Sequence, residues 1–162
     1  KLEKVHTEKV VFISQAGAGK TSLLRSIKAG RGDRTTGNDP STVGVEIDDY
    51  ESADGIACKM YDLAGQVDYY GLHQLFLTED AVYVLVWNAK KFEALANEEE
   101  VDKAVEADIT QWLFLLHQRV PRCSVILVAS HCDELKNPEG ATELLESVDV
   151  KIRKSHEAWR GN

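Results

Sequence analysis

Long hydrophobic runs are missing from this sequence, and with them the usual signs of membrane insertion. No apolar stretch reaches the ~18 residues that a membrane-spanning helix needs, and residues 1–9 contain no signal-peptide core. We therefore expect no membrane span and a cytoplasmic protein. Since the chain opens on lysine rather than methionine, we also expect it to be cut from a longer polypeptide or processed, with residues 1–9 as an N-terminal extension.

Cysteine is scarce, and positive charge is outweighed. The three cysteines, Cys58, Cys123 and Cys132, lack the spacing of zinc ligands, so we expect reduced thiols. The chain has 19 lysines and arginines against 27 aspartates and glutamates, which gives a formal net charge of −8. This charge disfavours the broad phosphate-facing surface of nucleic-acid-binding proteins. We therefore expect no nucleic-acid partner, and any phosphate site must be local.

The sequence does contain the material for one hydrophobic core. Its 162 residues, 43% of them hydrophobic, fit a single domain. A β-branched and aromatic run, Val10–Ile13, precedes a glycine-rich turn and an amphipathic segment, Lys20–Ala29, which predicts strand, loop and helix. After a long irregular loop, Val43–Tyr50 and Ile56–Asp62 flank an Asp-Gly turn, which predicts an antiparallel hairpin.

The second half of the chain predicts two more strands and two long helices. The apolar runs Ala81–Trp87 and Ser124–Ala129 are typical of parallel strands covered on both faces, so we expect them in the middle of the sheet. Helical spacing of apolar residues predicts a crossover helix over Glu98–Gln118 and another helix over Ala141–Trp159. The order βαββαβαβα predicts a three-layer α/β domain with a mostly parallel sheet and one antiparallel hairpin.

The segment SQAGAGKT, residues 14–21, lies between the first strand and the first helix. A phosphate-binding P-loop occupies this place, because backbone N–H groups and a helix N-terminus then point at the anion. Lys20 would reach the outer phosphates and the Thr21 hydroxyl would hold magnesium. The strand–loop–helix setting favours this interpretation over a glycine turn with a coincidental lysine. The predicted nucleotide contacts here are Ala16, Gly17, Ala18, Gly19, Lys20, Thr21 and Ser22.

Two further segments supply groups that a nucleotide site needs. The run DLAGQ, residues 62–66, follows the third strand and offers Asp62 for magnesium, the Gly65 N–H for a terminal phosphate and Gln66 to orient water. DxxG alone is more often an ordinary turn, but its place after a strand and a P-loop favours the site. Thr42 has a hydroxyl that could reach magnesium when a terminal phosphate orders its loop. A loop-capping role for Thr42 stays open.

The segment SHCD, residues 130–133, ends the last apolar strand. The Asp133 carboxylate could accept the ring N–H and the exocyclic amine of guanine, a pair of donors that adenine lacks. Ligands bind at the carboxyl ends of parallel strands, so Asp133 is the predicted base contact and His131 a further predicted nucleotide contact. The alternative for Asp133 is an N-cap of a following helix.

With these residues assembled, the sequence resembles the Ras-type GTPases, and in particular the Roc domains of Roco proteins, from Val10 to about Trp159. The features that carry the resemblance are YGLHQLF after DLAGQ, the strand AVYVLVWN, and SHCD in place of NKxD. The resemblance implies a P-loop NTPase fold, GTP and GDP binding with magnesium, and switch segments around Thr42 and residues 65–73. It also implies a longer chain with a COR dimerisation module, and hence a homodimer or an intramolecular contact with a COR-type domain.

The chain departs from the family pattern at several points. Ser14 replaces the first glycine of the P-loop, and Ala16 stands where Ras-type enzymes usually have glycine, which implies slow hydrolysis. Gln66 matches the water-positioning glutamine, whereas Arg31 and Arg34 are interpreted as solvated loop charges. Only 29 residues follow Asp133, so we expect the last strand and helix of the fold to be lacking, with a truncated C-terminal edge.

These observations predict a guanine-nucleotide switch with slow magnesium-dependent hydrolysis, in which Gln66 and Lys20 are the catalytic residues. Thr21, Thr42 and Asp62 are the predicted magnesium ligands. Chemistry would be phosphoryl transfer to water without a covalent intermediate. Two alternatives stay open at this point: an ATP-using P-loop protein, and a nucleotide-binding or pseudo-GTPase dimerisation module without significant hydrolysis.

Overall fold

The computed structural model describes residues 7–30, 42–52, 54–65 and 75–160, the last range without the side chains of residues 156 and 158–160. Five strands form one sheet in the order β2-β3-β1-β4-β5. The strands are β1 (Glu8–Ser14), β2 (Val45–Glu51), β3 (Ala57–Leu63), β4 (Ala81–Asn88) and β5 (Ser124–Ser130). Pairing is parallel except between β2 and β3. The predicted α/β P-loop fold, mostly parallel with one antiparallel hairpin, is confirmed.

Helices connect these strands, most of them where the hydrophobic spacing predicts. They are α1 (Lys20–Ala29), α2 (Ala89–Glu93), α3 (Glu98–Val105), α4 (Gln111–Arg119) and α5 (Ala141–Arg160). A π-helical turn, Glu106–Thr110, joins α3 to α4, so the predicted crossover helix is one rod with a wide turn in its middle. Two short 3₁₀ helices, Cys132–Glu134 and Pro138–Gly140, lead into α5. The predicted order also places a helix between β3 and β4, where residues 66–74 lie outside the described residues.

Alternation along the central strands divides the core into two layers. On one face, Tyr83 and Leu85 of β4 are fully buried against the crossover helix and α5. On the other face, Val86 packs with Phe12 and with Leu24 of α1. These layers follow from the two-residue period of a strand, which sends neighbouring side chains to opposite faces. Among the described helices, none is both long and apolar enough to cross a bilayer.

The expectation that Ser124–Ala129 lies in the middle of the sheet is wrong. β5 is an edge strand of the described sheet, paired with β4 alone. Ile126 and Leu127 are consequently 52% and 38% exposed, whereas Leu85 of β4 is fully buried. An apolar run shows that a strand suits burial, but the run does not show how many neighbours the strand has.

One helix went beyond the sequence prediction. The helix α2 follows β4 directly, and its N-cap Asn88 accepts a hydrogen bond from the Lys91 N–H. All three cysteines lie within the described residues and none pairs with another, as expected of thiols. Burial raises the pKa of each thiol, at Cys58, Cys123 and Cys132.

Candidate nucleotide-binding site

The candidate site lies at the carboxyl ends of the parallel strands, where the three predicted segments meet. The loop after β1, the end of β3 and the end of β5 share one edge of the sheet because β1 pairs with β3 and β4, and β4 pairs with β5, all in parallel. In open α/β sheets this edge is where ligands bind. The topology therefore assembles groups that are widely separated in sequence.

The phosphate loop, residues 14–21, has a backbone conformation suited to binding an anion. Gly17 and Gly19 have φ angles of 76° and 80°, a left-handed conformation that glycine adopts without strain. Gly19 is the N-cap of α1, which begins at Lys20. Because the first N–H groups of a helix have no partner inside the helix, they are available to phosphate oxygens. Ala16, Ala18, Thr21 and Ser22 complete the loop and the first turn of α1.

The predicted magnesium ligands converge on one carboxylate. Thr21 Oγ1 donates to Asp62 Oδ2 at 2.8 Å, and Thr42 Oγ1 lies 3.2 Å from the same oxygen. The two hydroxyl oxygens are 2.9 Å apart, and Lys20 Nζ pairs with the other oxygen, Asp62 Oδ1. Thr42 is 9% exposed, and its side chain bonds these two partners. Two hydroxyls and a carboxylate are the oxygen ligands that magnesium prefers, so this cluster fits the ion.

Gly65 lies directly against the phosphate loop. A Cβ atom at Gly65 would meet the Ala16 nitrogen at 2.7 Å and the Gln15 carbonyl carbon at 2.8 Å. Both are backbone atoms that a side-chain rotation cannot move. The preceding residue is also fixed, because the Ala64 N–H donates to the Gly44 carbonyl at 2.9 Å. Glycine is therefore required at position 65 by close packing of the segment after β3 onto the loop.

The SHCD segment is bonded to the phosphate loop. Ser130 Oγ lies 2.6 Å from the Ala18 carbonyl oxygen and 3.0 Å from the Trp87 carbonyl oxygen. His131 has a positive φ of 57°, and its ring atom Cε1 would lie 2.9 Å from a Cβ placed on Gly19. The imidazole thus covers the start of α1. Ser130 has no role in the sequence prediction, and this contact defines one.

Asp133 lies in the exposed 3₁₀ helix Cys132–Glu134 at the end of β5. The N-cap of that helix is His131, so Asp133 does not occupy the capping position that the alternative interpretation required. Its carboxylate has no hydrogen-bond partner among those found in the described part of the chain. The Asp133 side chain is therefore accessible, on the same SHCD segment whose Ser130 bonds to the phosphate loop.

The short helix α2 holds the loop that follows Asp133. Glu93 accepts hydrogen bonds from the Lys136 and Asn137 backbone N–H groups at 3.0 and 2.9 Å. These two bonds hold the pKa of Glu93 below its ordinary value. Lys90 pairs with Glu134, and this contact lowers the pKa of Glu134. Sequence reasoning missed both contacts, since no local pattern marks a carboxylate that binds a backbone more than forty residues away.

Several sequence predictions fall outside the described residues. They are the water-positioning Gln66, the loop arginines Arg31 and Arg34, and most of the second switch segment, residues 66–73. The predicted roles of these residues stay predictions. Lys20, the other predicted catalytic residue, is 5% exposed and lies at the centre of the cluster described above.

Several known proteins are similar in sequence to this chain. The family described as "Ras of Complex, Roc, domain of DAPkinase" matches residues 9–133. The chain is 31% identical over 153 residues to the probable serine/threonine-protein kinase pats1 of Dictyostelium discoideum. The matched region covers 82% of the chain and 4% of that relative. It is 28% identical to cyclic GMP-binding protein C of the same organism, over 90% of the chain and 6% of the relative.

A vertebrate relative is likewise much longer than the region that matches this chain. The human protein named malignant fibrous histiocytoma-amplified sequence 1 is 25% identical over 93% of the chain, which corresponds to 15% of that protein. The chain thus spans a small part of each of these relatives.

Proposed function

The chain belongs to the Roc family, and on that premise we propose that it is a guanine-nucleotide-binding switch with slow magnesium-dependent GTP hydrolysis. The observation that carries the proposal is the convergence of Lys20, Thr21, Thr42 and Asp62 at the end of the phosphate loop. These side chains come from α1, the segment before β2 and the end of β3. A chance glycine turn would not bring them together.

Each group in the cluster has a task in binding a nucleotide. The loop N–H groups of residues 16–21 and the N-terminus of α1 would bind the phosphates, and Lys20 would neutralise their charge. Magnesium held by Thr21, Thr42 and Asp62 would offset charge that develops on the phosphoryl oxygens. In this proposal Lys20 leaves Asp62 for the phosphates, which frees the carboxylate for the ion.

Thr42 and Gly65 would report which nucleotide is bound. Thr42 lies in the first predicted switch segment and bonds Asp62. Gly65 begins the second and packs against the phosphate loop. Contacts of Thr42 and of the Gly65 N–H with a terminal phosphate would order these segments, and hydrolysis would release them. This is the physical basis of the proposed switch.

Asp133 would select guanine. Its exposed carboxylate lies on the segment that Ser130 bonds to the phosphate loop, so a nucleotide whose phosphates rest on the loop would extend its base toward it. Guanine presents two neighbouring donors to such a carboxylate, whereas adenine does not. His131 would flank the base or the sugar from its place over Gly19.

Hydrolysis would be slow without a supplied arginine. Gln66 would orient the attacking water and Lys20 would neutralise charge. The expected rate of GTP hydrolysis is on the order of 10⁻⁴ to 10⁻² per second, as in P-loop GTPases without a supplied arginine. The relatives named above are far longer than this chain. We therefore propose a regulatory domain of a larger cytoplasmic signalling protein, which forms a homodimer or contacts an adjoining COR-type domain.

Calorimetric titration of the magnesium-loaded protein with GDP, GTP and ATP tests this function. We expect binding of both guanine nucleotides, weak or no binding of ATP, and loss of guanine binding in Asp133→Ala. The matched control is Asp80→Ala, an exposed aspartate before β4 at the opposite edge of the sheet. Tighter binding of ATP than of GTP would replace the proposal with an ATP-using protein.

A second candidate function is a pseudo-GTPase module that keeps the fold for dimerisation. The observation in its favour is the Lys20–Asp62 ion pair, which already satisfies both charges without a nucleotide. Ser14 and Ala16 in the loop point the same way. A melting temperature that does not change with GDP and magnesium would support this candidate, because a ligand of the folded state must stabilise it.

A further inference from the structure

The π-helical turn of the crossover helix makes a direct contact with the phosphate loop. Gln15 Nε2 donates a hydrogen bond to the Ala107 carbonyl oxygen at 2.8 Å, across 92 residues of sequence. Ala107 belongs to the turn Glu106–Thr110. π-helical turns are rare, and they occur frequently at functional sites. The proposed function assigns no role to either Gln15 or this turn.

The same part of the loop is packed from another direction by Gly65. The atoms nearest to a Cβ at Gly65 are the Ala16 nitrogen, the Gln15 carbonyl carbon and Ala16 Cα, all within 2.9 Å. The Gln15–Ala16 peptide is therefore held against the segment after β3, while the Gln15 side chain holds it to the crossover helix. A shift of either neighbour would move this peptide and the phosphate-binding N–H groups that follow it.

The π-helical turn is itself anchored by a second polar contact. Asp108, the next residue after Ala107, is 6% exposed, and its Oδ2 atom accepts from Lys91 Nζ at 2.6 Å. Lys91 belongs to α2, the same helix that holds the loop after Asp133 through Lys90 and Glu93. The turn thus connects α2 to the phosphate loop by two successive residues.

We propose that Gln15 is a positioning residue for nucleotide binding, which transmits the position of the crossover helix at Ala107 to the phosphate loop. The proposal rests on the proposed nucleotide binding and deepens it by naming how the loop is held and what could regulate it. The phosphate loop can bind phosphate only while its N–H groups stay aligned with the anion. Anything that displaces the π-helical turn would therefore change how tightly the loop holds phosphate.

Gln15→Met tests the hydrogen bond, since methionine has a similar length but cannot donate. We expect a fluorescent GDP analogue to dissociate about three- to tenfold faster from this variant than from the wild type, as expected for one lost hydrogen bond. The control is Gln118→Met, the same change at an exposed position near the end of α4, which should dissociate at the wild-type rate. Equal rates for all three proteins would overturn the proposal.

A double-mutant cycle separates a positioning role from a purely structural one. Lys91→Met removes the anchor of Asp108 at a half-exposed side chain, so we expect faster dissociation in the wild-type background. In the Gln15→Met background the same change should have little effect on the rate, because the connection to the loop is already broken. Additive effects on the dissociation rate would show that Gln15 does not transmit the position of the turn.

The outcomes also distinguish this inference from the proposed function. If wild-type protein binds no nucleotide, the proposed function fails and the inference falls with it. If wild-type protein binds GDP but Gln15→Met behaves like Gln118→Met, the inference alone fails. Amide hydrogen exchange supplies a second measurement: GDP should protect residues 107–111 in the wild type and in Gln118→Met, and not in Gln15→Met. Protection that survives in Gln15→Met would also overturn the inference.

Discussion

Lys20 and Asp62 form a buried ion pair at the centre of the candidate site, with side chains that are 5% and 3% exposed. They come from the start of α1 and the end of β3, 42 residues apart in sequence. Burial of either charge alone is costly, because the protein interior replaces little of the solvation that water provides. Each residue therefore depends on the other in the absence of a ligand.

The ion pair makes a prediction about stability. Lys20→Met should lower the free energy of unfolding of nucleotide-free protein by about 3 kcal/mol, because Asp62 is left as an uncompensated buried charge. Urea denaturation would measure this loss. Adding Asp62→Asn to Lys20→Met should restore part of it, since the remaining side chain is neutral and can still bond Thr21 and Thr42. A double variant less stable than Lys20→Met would contradict the explanation.

Gly65→Ala should destabilise the protein by about 1–3 kcal/mol, the usual cost of forcing an extra carbon into a packed region. The added Cβ would meet the Ala16 nitrogen at 2.7 Å, so the loop must move. Faster release of a fluorescent GDP analogue should accompany the loss. Because the clash involves backbone atoms, Ala16→Gly should not rescue Gly65→Ala. Rescue by that change would show that the crowding is with the Ala16 side chain instead.

Glu93→Gln should weaken the attachment of the loop that follows Asp133 to α2. The change should also make the free energy of unfolding depend less on pH in the acid range. The Lys136 and Asn137 N–H groups lower the pKa of folded Glu93 below its ordinary value of 4.5. A lowered folded pKa means that the carboxylate stabilises the fold above pH 4.5, and that this contribution is lost as the pH falls through the folded pKa.

The measurement for Glu93 is urea denaturation of both proteins between pH 7 and pH 3. The wild type should be the more stable at pH 7, and the difference should shrink below pH 4.5. The matched control is Glu139→Gln, an exposed glutamate in the same loop, which should follow the wild type. A difference between wild type and Glu93→Gln that is constant over this range would refute the assigned cause.

Ser130→Ala should release the SHCD segment from the phosphate loop. The hydroxyl has one proton to donate and lies within reach of the Ala18 and Trp87 carbonyl oxygens. Loss of this bond should weaken GDP binding about three- to tenfold, because the phosphate loop and the SHCD segment are then no longer joined by it. Ser124→Ala, at the exposed start of the same strand, is the control. Calorimetry with unchanged affinity for Ser130→Ala would remove the assigned role.

Much of the fold could be predicted because its signals are local. Apolar runs identified β1, β4 and β5, the Asp-Gly turn identified the hairpin of β2 and β3, and helical spacing identified α1, the crossover helix and α5. The three segments 14–21, 62–66 and 130–133 could be recognised for the same reason, since each combines a short motif with a strand end. Parallel pairing then explains why segments from separate parts of the chain meet at one edge of the sheet.

The tertiary structure alone decided which atoms meet. The Lys20–Asp62 pair, the Ser130 contact with Ala18 and the Gln15 contact with Ala107 join residues 42 to 112 positions apart. No periodicity marks such contacts, because they depend on how strands and helices are placed rather than on local conformation. The edge position of β5 has the same origin. Sequence by itself determined the elements and the chemical groups, whereas three-dimensional packing decided their partners.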